Sequence, residues 1–243
     1  MSDIKLYNED CLKVLKEIEN ESVDCIVSDP PYACTPHGTS GMGGICGNNK
    51  LSQSGKLFNF NNISPKDYAS EFYRILKDGT HAYVMTNNVN LQEMLNEFTR
   101  VGFKFIKLLV WHKDNKIANQ YYMQSLEFIL FLRKGRERKI NNCGDTDFCE
   151  FPNKKMKDEE GNPLHPTEKP IELMKKFILN STNENDIVID PFMGIGATAI
   201  ACKQTNRNFI GCEIDPKYFD IAKSRIEHNG DYIDNSKEDI FGL

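Results

Sequence analysis

The sequence has no apolar run long enough to cross a membrane, since such a span needs about 20 predominantly apolar residues. Residues 1–5 carry an acidic side chain and no apolar stretch, so they do not resemble a secretion signal. The eight cysteines are scattered, and none forms the C-x₂-C doublet of a structural zinc site. These absences predict a cytoplasmic protein with reduced thiols, no membrane association and no metal site.

The chain also lacks the strong positive charge of a simple nucleic-acid binder, because its formal net charge is −5. The charge is unevenly distributed, however. Residues 100–139 hold ten basic and only three acidic residues. A polyanion could therefore dock on one region of the molecule while the remainder repels it.

Hydrophobic periodicity predicts strands and helices in alternation, with short buried strands such as 23–27 and 187–190. The apolar segment 126–132 follows the preceding strand too closely for a helical crossover, which predicts an antiparallel pair there. We expect one domain over residues 1–243, built as a doubly wound, mostly parallel α/β sheet of about seven strands. Two segments show no periodicity, the glycine-rich stretch 33–63 and the polar stretch 134–164.

A glycine-containing turn links the buried strand 187–190 to the following helix. Its sequence runs from Asp190 through Phe192, Gly194 and Gly196, and Ala199 completes a G-x-G-x-x-A spacing. Such a turn lets a nucleoside cofactor approach the backbone at a helix N-terminus. Glu213, at the end of the next strand, could accept hydrogen bonds from both ribose hydroxyls. This motif alone fits equally well a tight turn without a ligand or an NAD-binding Rossmann unit.

The tetrapeptide Asp29-Pro30-Pro31-Tyr32 lies at the carboxyl end of a buried strand, where ligands bind in open α/β sheets. Its prolines fix the backbone and remove two N–H donors. The Asp29 carboxylate and the Pro30 carbonyl could then accept both protons of an aromatic amino group. Tyr32 offers a ring face on which an extruded base could stack. The alternative is a proline-rich turn with a helix-capping aspartate.

A third motif, His165-Pro166-Thr167-Glu168-Lys169-Pro170, precedes the glycine turn. With the two motifs above it resembles the amino-group DNA methyltransferases, specifically their β group with permuted motif order. The similarity spans Leu6 to about Ile226 and includes middle strands at 109–113 and 127–135. In that family D-P-P-Y is catalytic, D-P-F-x-G-x-G-T binds S-adenosylmethionine, and H-P-T-x-K-P contacts the methionine end of the donor.

The resemblance implies catalytic roles for Asp29, Pro30 and Tyr32. It implies cofactor-binding roles for ten residues: Asp10, His165, Thr167, Lys169, Asp190, Phe192, Gly194, Gly196, Thr198 and Glu213. The chain departs from the family pattern in three places. Glu9-Asp10 replaces a common Gly-Asp, Ala197 stands at a usual threonine with Thr198 following, and 134–164 is short for a target-recognition region.

The implied activity is site-specific methylation of an exocyclic amino group in DNA, with S-adenosylmethionine as the only cofactor. Adenine is the favoured base because cytosine-directed members more often carry serine in place of Asp29. Cytosine-N4 methylation is the first alternative. An RNA or protein amino methyltransferase and a DNA-binding homologue without catalysis are the others. Double-stranded DNA is the expected partner, and a cognate restriction endonuclease and a homodimer are further expectations.

Two parts of the chain are predicted to face DNA. Phosphate contacts are expected from the basic run that begins the polar stretch: Arg133, Lys134, Arg136, Arg138 and Lys139. A solvated charge run is the alternative. The 33–63 segment is expected to be a lid near the target base, since loops of about 30 residues are uncommon unless functional or disordered. The stretch 134–164 is predicted to be a short target-recognition insert.

Overall fold

The computed structural model describes residues 2–31, 63–117 and 122–232, which contain eight strands and six helices. The strands are β1 Ile4–Tyr7, β2 Val23–Ser28, β3 Leu76–Thr86, β4 Lys104–Ile117, β5 Gln124–Arg133, β6 Phe148–Glu150, β7 Ile187–Asp190 and β8 Asn208–Cys212. The helices are α1 Cys11–Glu17, α2 Pro65–Ile75, α3 Leu91–Arg100, α4 Ile171–Ser181, α5 Ala197–Gln204 and α6 Pro216–Glu227. None of these helices is both long and apolar enough to cross a membrane.

Three of the helices begin at residues with a clear capping signal. The Asp10 carboxylate accepts a hydrogen bond of 2.8 Å from the backbone of Leu12, and that of Asp215 accepts one of 2.9 Å from Lys217. At α2, the backbone N–H of Ser64 donates to the carboxylate of Asp67 at 2.7 Å. These bonds satisfy amides that a helix leaves unpaired, and they stabilise the first turns of α1, α2 and α6.

The eight strands form one sheet in the order β1-β8-β7-β2-β3-β5-β4-β6. Only β5 runs antiparallel to its neighbours, β3 and β4, which confirms the predicted antiparallel pair. The predicted count of seven strands is wrong by one. The additional strand, β6, arises within the segment 134–164 and pairs in parallel with β4, with Phe148 opposite Val110. At three residues β6 is too short to produce a periodic signal.

Helices cover both faces of the sheet, so the predicted doubly wound α/β class is confirmed. On one face α1, α2 and α3 pack through buried residues that include Leu15, Phe72 and Phe98. On the other face α4, α5 and α6 pack through residues that include Phe177 and Ile200. The two sets of helices lie on different faces because the chain winds in opposite directions from the middle of the sheet.

The reversal of winding lies between β2 and β7, which are parallel neighbours with Ile26 opposite Ile189. From β2 the chain proceeds to β3, and from β7 it proceeds in the other direction to β8. In such sheets the connections diverge above and below the plane and leave a crevice at the carboxyl ends of the two strands. The catalytic tetrapeptide follows β2 and the glycine turn follows β7, so this crevice is the candidate site.

Candidate active site

Three predicted site carboxylates lie at neighbouring strand ends. Asp29 follows β2, Asp190 ends β7 and Glu213 follows β8, and these strands are adjacent in the sheet. Because parallel strands end at the same edge, residues separated by more than 160 positions come together there. We call this the catalytic edge.

The two carboxylate oxygens of Asp29 differ in their hydrogen bonding. The Lys169 ammonium donates to Oδ2, while Oδ1 is buried and has no hydrogen-bond partner within the described residues. Burial raises the pKa of Asp29 above its usual value, and the Lys169 ammonium opposes that rise. An orphaned buried acceptor is costly unless a ligand donor reaches it. Oδ1 is therefore placed to accept a proton of a bound group.

The other two predicted catalytic residues differ in what the structure describes. Pro30 is buried directly after Asp29, as expected for a rigid turn at the strand end. Tyr32 lies outside the described residues, as does the predicted lid at 33–63 apart from Ile63. Stacking of a base on Tyr32 and closure of the lid remain predictions.

The carboxylate of Asp190 accepts three hydrogen bonds inside the protein. Oδ1 accepts hydrogen bonds from the Ser28 hydroxyl at 2.8 Å and the Phe192 amide at 3.1 Å, and Oδ2 accepts one from Thr198 at 2.7 Å. Burial raises the pKa of Asp190 to about 6. Asp190 and Thr198 thus tie the glycine turn to the end of β2, beside Asp29, and their predicted contacts with a cofactor stay predictions.

The two glycines of the turn serve different purposes. Gly194 (φ +52°) donates its amide to Glu213 Oε2 at 3.0 Å, and a Cβ added to it would approach the His165 ring at 3.4 Å. Gly196 (φ +83°) faces away from the crevice, because its Cβ would meet Ala222 of α6 at 3.3 Å. Gly194 thus allows the His165 ring to lie close to the turn, and Gly196 allows α6 to do so, while their predicted contacts with the cofactor stay predictions.

Glu213 retains hydrogen-bonding capacity toward a ligand. Its two oxygens accept amide bonds from Gly194 at 3.0 Å and Asp215 at 2.9 Å. A carboxylate offers about four lone-pair sites, so about two remain for a diol. The side chain is part-buried, and burial raises its pKa. This arrangement fits the ribose of a nucleoside cofactor.

His165 and Thr167 lie beside the glycine turn as predicted. Burial lowers the pKa of His165 to about 3, which leaves the ring neutral. Its Nδ1 accepts a hydrogen bond from the Thr167 amide at 3.2 Å, and its edge contacts the ring of Tyr218 at a centroid distance of 4.4 Å. A neutral ring fixed in this way forms a wall of the crevice next to Gly194.

Lys169 lies next to Asp29. Its ammonium donates hydrogen bonds to the Asp29 carboxylate and to the Thr167 carbonyl at 3.2 Å, and it forms an ion pair with Glu127 Oε2 at 3.6 Å. In the structure the contacts of Lys169 are thus made with Asp29 and its surroundings, and the predicted contact with the methionine end of a donor stays a prediction.

Asp10 and Phe192 lie on the cofactor side of the catalytic edge. Asp10 is part-buried just beyond β1, next to β8, and one of its oxygens caps α1. The Phe192 ring is packed edge-on against Tyr68, with a centroid distance of 5.3 Å. Direct contact of either residue with a cofactor remains a prediction.

The basic run 133–139 lies at the opposite edge of the sheet. Arg133 is opposite His81, five residues before the end of β3 at Thr86, or about 16 Å along the strand. Lys134 is buried, and its ammonium donates to the Leu76 carbonyl at 2.7 Å. Lys134 is therefore wrong as a phosphate contact.

Arg136 of the same run is ion-paired with Asp78 at 2.5 Å. Arg138 is half-buried, and Lys139 is exposed. Both follow Arg133 at the edge remote from Asp29. For Arg133, Arg136, Arg138 and Lys139 the structure therefore favours the alternative of a solvated charge run.

The second half of the 134–164 segment has a different position from the first. Because β6 runs parallel to β4, the chain after Glu150 emerges at the catalytic edge. There the Asn153 amide donates to Asp114 at 2.8 Å, and the Lys155 ammonium donates to the Pro166 carbonyl. Within the described segment 134–164, only the residues beyond β6 are thus placed to contact a substrate at the catalytic edge.

Sequence analysis did not identify two charged residues of the site. Glu127 begins the part of β5 that adjoins the end of β3, and Lys113 faces it from β4. The sequence signal for Glu127 is that it is the single acidic residue within an apolar strand. A buried charge is rare unless it is paired, so such a residue predicts an ion-pair partner nearby.

Comparison with known proteins gives one family. A family described as DNA methylase matches residues 23–224. Among curated proteins, the Type II methyltransferase M2.LlaDCHI of Lactococcus lactis subsp. cremoris is 31% identical, over 93% of this chain and 90% of the relative. The Type II methyltransferase M2.DpnII of Streptococcus pneumoniae is 30% identical, over 91% and 89% respectively.

Solved structures show the same architecture. The crystal structure of an M1.HpyAVI–SAM complex superimposes with a TM-score of 0.67 at 26% identity, covering 91% of this chain and 99% of that one. The cytosine-N4-specific PvuII DNA methyltransferase gives a TM-score of 0.71 at 17% identity, covering 97% and 88%. At that identity the second likeness concerns the fold alone.

Proposed function

The chain belongs to the DNA methylase family, and we propose that it transfers a methyl group from S-adenosylmethionine to the exocyclic amino group of adenine in DNA. The observation that carries the proposal is Asp29 Oδ1, a buried acceptor that has no partner among residues 2–31, 63–117 and 122–232 and lies at the switch point of the sheet. It lies beside a turn, at Gly194, whose backbone and neighbouring Glu213 fit a nucleoside cofactor.

When bound, S-adenosylmethionine supplies an electrophilic methyl group on its sulfonium. Glu213 would bind the ribose hydroxyls, while Gly194 and His165 would form the surface against which the cofactor packs. Asp29 Oδ1 would accept a hydrogen bond from one N–H of the target amino group, and the Pro30 carbonyl would accept one from the other N–H. These bonds direct the nitrogen lone pair toward the methyl group, so catalysis rests on proximity and orientation. As the nitrogen–methyl bond forms, the methyl–sulfur bond breaks, the thioether product leaves and the nitrogen releases one proton to solvent. The base must leave the helical stack to reach Asp29.

Adenine is proposed over cytosine because the chain carries Asp29 where cytosine-directed members more often carry serine. The test uses purified protein, labelled donor and DNA from a methylation-deficient host, followed by mass spectrometry of the nucleosides. We expect N6-methyladenine at one short sequence. N4-methylcytosine would establish the first alternative, methylation confined to RNA or protein would establish the second, and donor binding without transfer would indicate a homologue that has lost catalysis.

DNA docking is proposed at the catalytic edge. Lys154 and Lys157 are exposed just beyond β6, and Lys116 is exposed near the end of β4. Large apolar side chains are exposed at the start of the neighbouring β5, where Tyr122 is 91% exposed and Met123 is 63% exposed. A basic and apolar surface at the same edge of the sheet as Asp29 suits a duplex from which a base is extruded.

Two double variants test whether DNA docks at the catalytic edge. Each phosphate contact adds nearly one unit to the slope of log affinity against log salt, so Lys154→Ala with Lys157→Ala should flatten the slope by up to about two units. Sequence preference should persist, because phosphate contacts position the protein without reading bases. Fluorescence anisotropy with DNA at several salt concentrations measures the slope.

The matched control is Arg136→Ala with Arg138→Ala, which removes the same charge from the opposite edge. We expect it to leave the slope at the wild-type value. The reverse pattern, with only the arginine pair flattening the slope, would return DNA docking to the basic run 133–139.

Partners and location follow from the same proposal. The substrate is double-stranded DNA, and the names of the relatives support a place in a restriction–modification system with a cognate endonuclease. Such a protein acts in the cytoplasm. Homodimer formation remains a prediction, and size-exclusion chromatography with light scattering would measure it.

A further inference from the structure

Four charged side chains form a buried chain of ion pairs that ends at the catalytic edge. The Lys113 ammonium donates to Glu127 Oε1, and Glu127 Oε2 lies 3.6 Å from the Lys169 ammonium, which in turn donates to Asp29 Oδ2. All four side chains are at most 20% exposed. Lys113 and Glu127 have no part in the cofactor site or in the reaction described above.

We propose that Glu127 and Lys169 are positioning residues that hold Asp29 with Oδ2 engaged and Oδ1 directed to the target amino group. This inference rests on the proposed function, because it assigns how the acceptor of that reaction is oriented. Lys113 completes the chain by fixing Glu127 from the side remote from Asp29.

The geometry favours orientation over simple charge balance. A carboxylate with no fixed partner can rotate and present either oxygen, whereas an ammonium at Oδ2 distinguishes the two. Lys169 can do this only if its own position is fixed, and contacts to Glu127 and to the Thr167 carbonyl at 3.2 Å supply that constraint. Preorganised polar groups of this kind contribute to catalysis because they need not reorganise during the reaction.

The charges of the chain act on Asp29 in opposite directions. Burial raises the pKa of Asp29, the Lys169 ammonium lowers it and the Glu127 carboxylate raises it. Burial would also raise the pKa of Glu127, but the Lys169 and Lys113 ammonium groups outweigh it and hold that pKa below its usual value. Glu127 is therefore ionised, and the two carboxylates balance the two ammonium groups.

The titratable groups around Asp29 come from several elements. They are Lys113 on β4, Glu127 on β5, Lys169 before α4, Asp190 on β7 and Tyr68 on α2. Burial raises the pKa of Tyr68, so it stays neutral, and three hydrogen bonds hold Asp190. Substitution of Lys169 or Glu127 should therefore change mainly the pKa of Asp29.

The test compares Lys169→Met, Lys169→Arg and Glu127→Gln by their pH profiles of kcat, with genomic DNA from a methylation-deficient host as substrate. Activity requires ionised Asp29, so the profile has an acid limb. Lys169→Met should move this limb to higher pH by roughly one unit or more, since a contacting opposite charge lowers a carboxyl pKa by about 1–3. Glu127→Gln should move it to lower pH and reduce kcat, and Lys169→Arg should keep the limb near its wild-type position.

Donor affinity, measured by calorimetry, distinguishes a positioning role of Lys169 from a role in donor binding. It also distinguishes failure of this inference from failure of the proposed function. We expect all three variants to bind S-adenosylmethionine as the wild type does. Weakened donor binding by Lys169→Met, or an acid limb unchanged in both Lys169→Met and Glu127→Gln, would overturn the inference. If the wild type methylated no DNA, the proposed function would fail, and calorimetry would still decide whether Lys169 serves the donor.

Discussion

Replacement of Asp29 by alanine should abolish methylation while binding of S-adenosylmethionine survives. In the proposed mechanism Asp29 Oδ1, which has no hydrogen-bond partner within the described residues, contacts the target amino group and not the donor, whose ribose is assigned to Glu213. Loss of one preorganised polar contact commonly reduces kcat by about 10²–10³, and Asp29 is proposed to make the principal contact here. The fold should persist, because the Lys169 ammonium keeps Glu127 as a partner at 3.6 Å.

Methyl incorporation into DNA and calorimetric titration with the donor measure the two quantities separately. Glu213→Ala is the matched control and should show the opposite pattern. It should weaken donor binding by about 1.5–3 kcal/mol, the scale of hydrogen bonds to a charged group. A variant at Asp29 that retains a sizeable fraction of wild-type turnover would contradict the role assigned to its carboxylate.

The largest effect on stability is expected at Glu168. Its Oε1 pairs with the Arg225 guanidinium at 2.7 Å, and its Oε2 accepts the Met156 amide at 2.7 Å. Arg225 is 1% exposed and also donates to the Ile195 carbonyl at 2.7 Å. Glu168→Ala would leave this cation buried without its counter-charge, and breaking such a pair costs about 3–5 kcal/mol.

Urea unfolding measures this loss as a lower midpoint with an unchanged m-value. Glu172→Ala is the matched control, since it removes a glutamate four residues away. Glu172 pairs with Lys175 at 2.6 Å but is 64% exposed, so we expect a change of at most about 1 kcal/mol. Equal effects of the two variants would mean that the buried pair adds nothing beyond an exposed one.

The sequence was sufficient for the elements that local signals specify. Ser64-Pro65 and Asp215-Pro216 are local capping signals at the starts of α2 and α6, and apolar runs indicate β2 and β7. The short separation between β4 and β5 was sufficient for their antiparallel pairing. The three-residue strand β6 could not be predicted, because its pairing partner on β4 and not its own composition determines it.

The features of the site that the sequence does not specify have a common physical cause. The motif around Lys169 predicts a contact with the donor, whereas the contact of its ammonium with Asp29 depends on the position of a residue 140 positions away. The basic run 133–139 has the composition of a phosphate-binding surface, yet the direction of β5 carries it to the wrong edge. Residue type can be predicted from sequence, whereas the edge at which a residue emerges depends on strand direction and register.

The order of the strands has a consequence for synthesis of the chain. Ser28 and Asp190 are hydrogen-bonded at 2.8 Å across a separation of 162 residues, and β1 pairs only with β8. A ribosome-bound chain that ends before β7 therefore has β1 without a neighbour and Asp29 without the glycine turn. Closing such long loops is a slow, late step in folding. A nascent or truncated chain would consequently be unable to modify DNA, and activity would begin only once synthesis is almost complete.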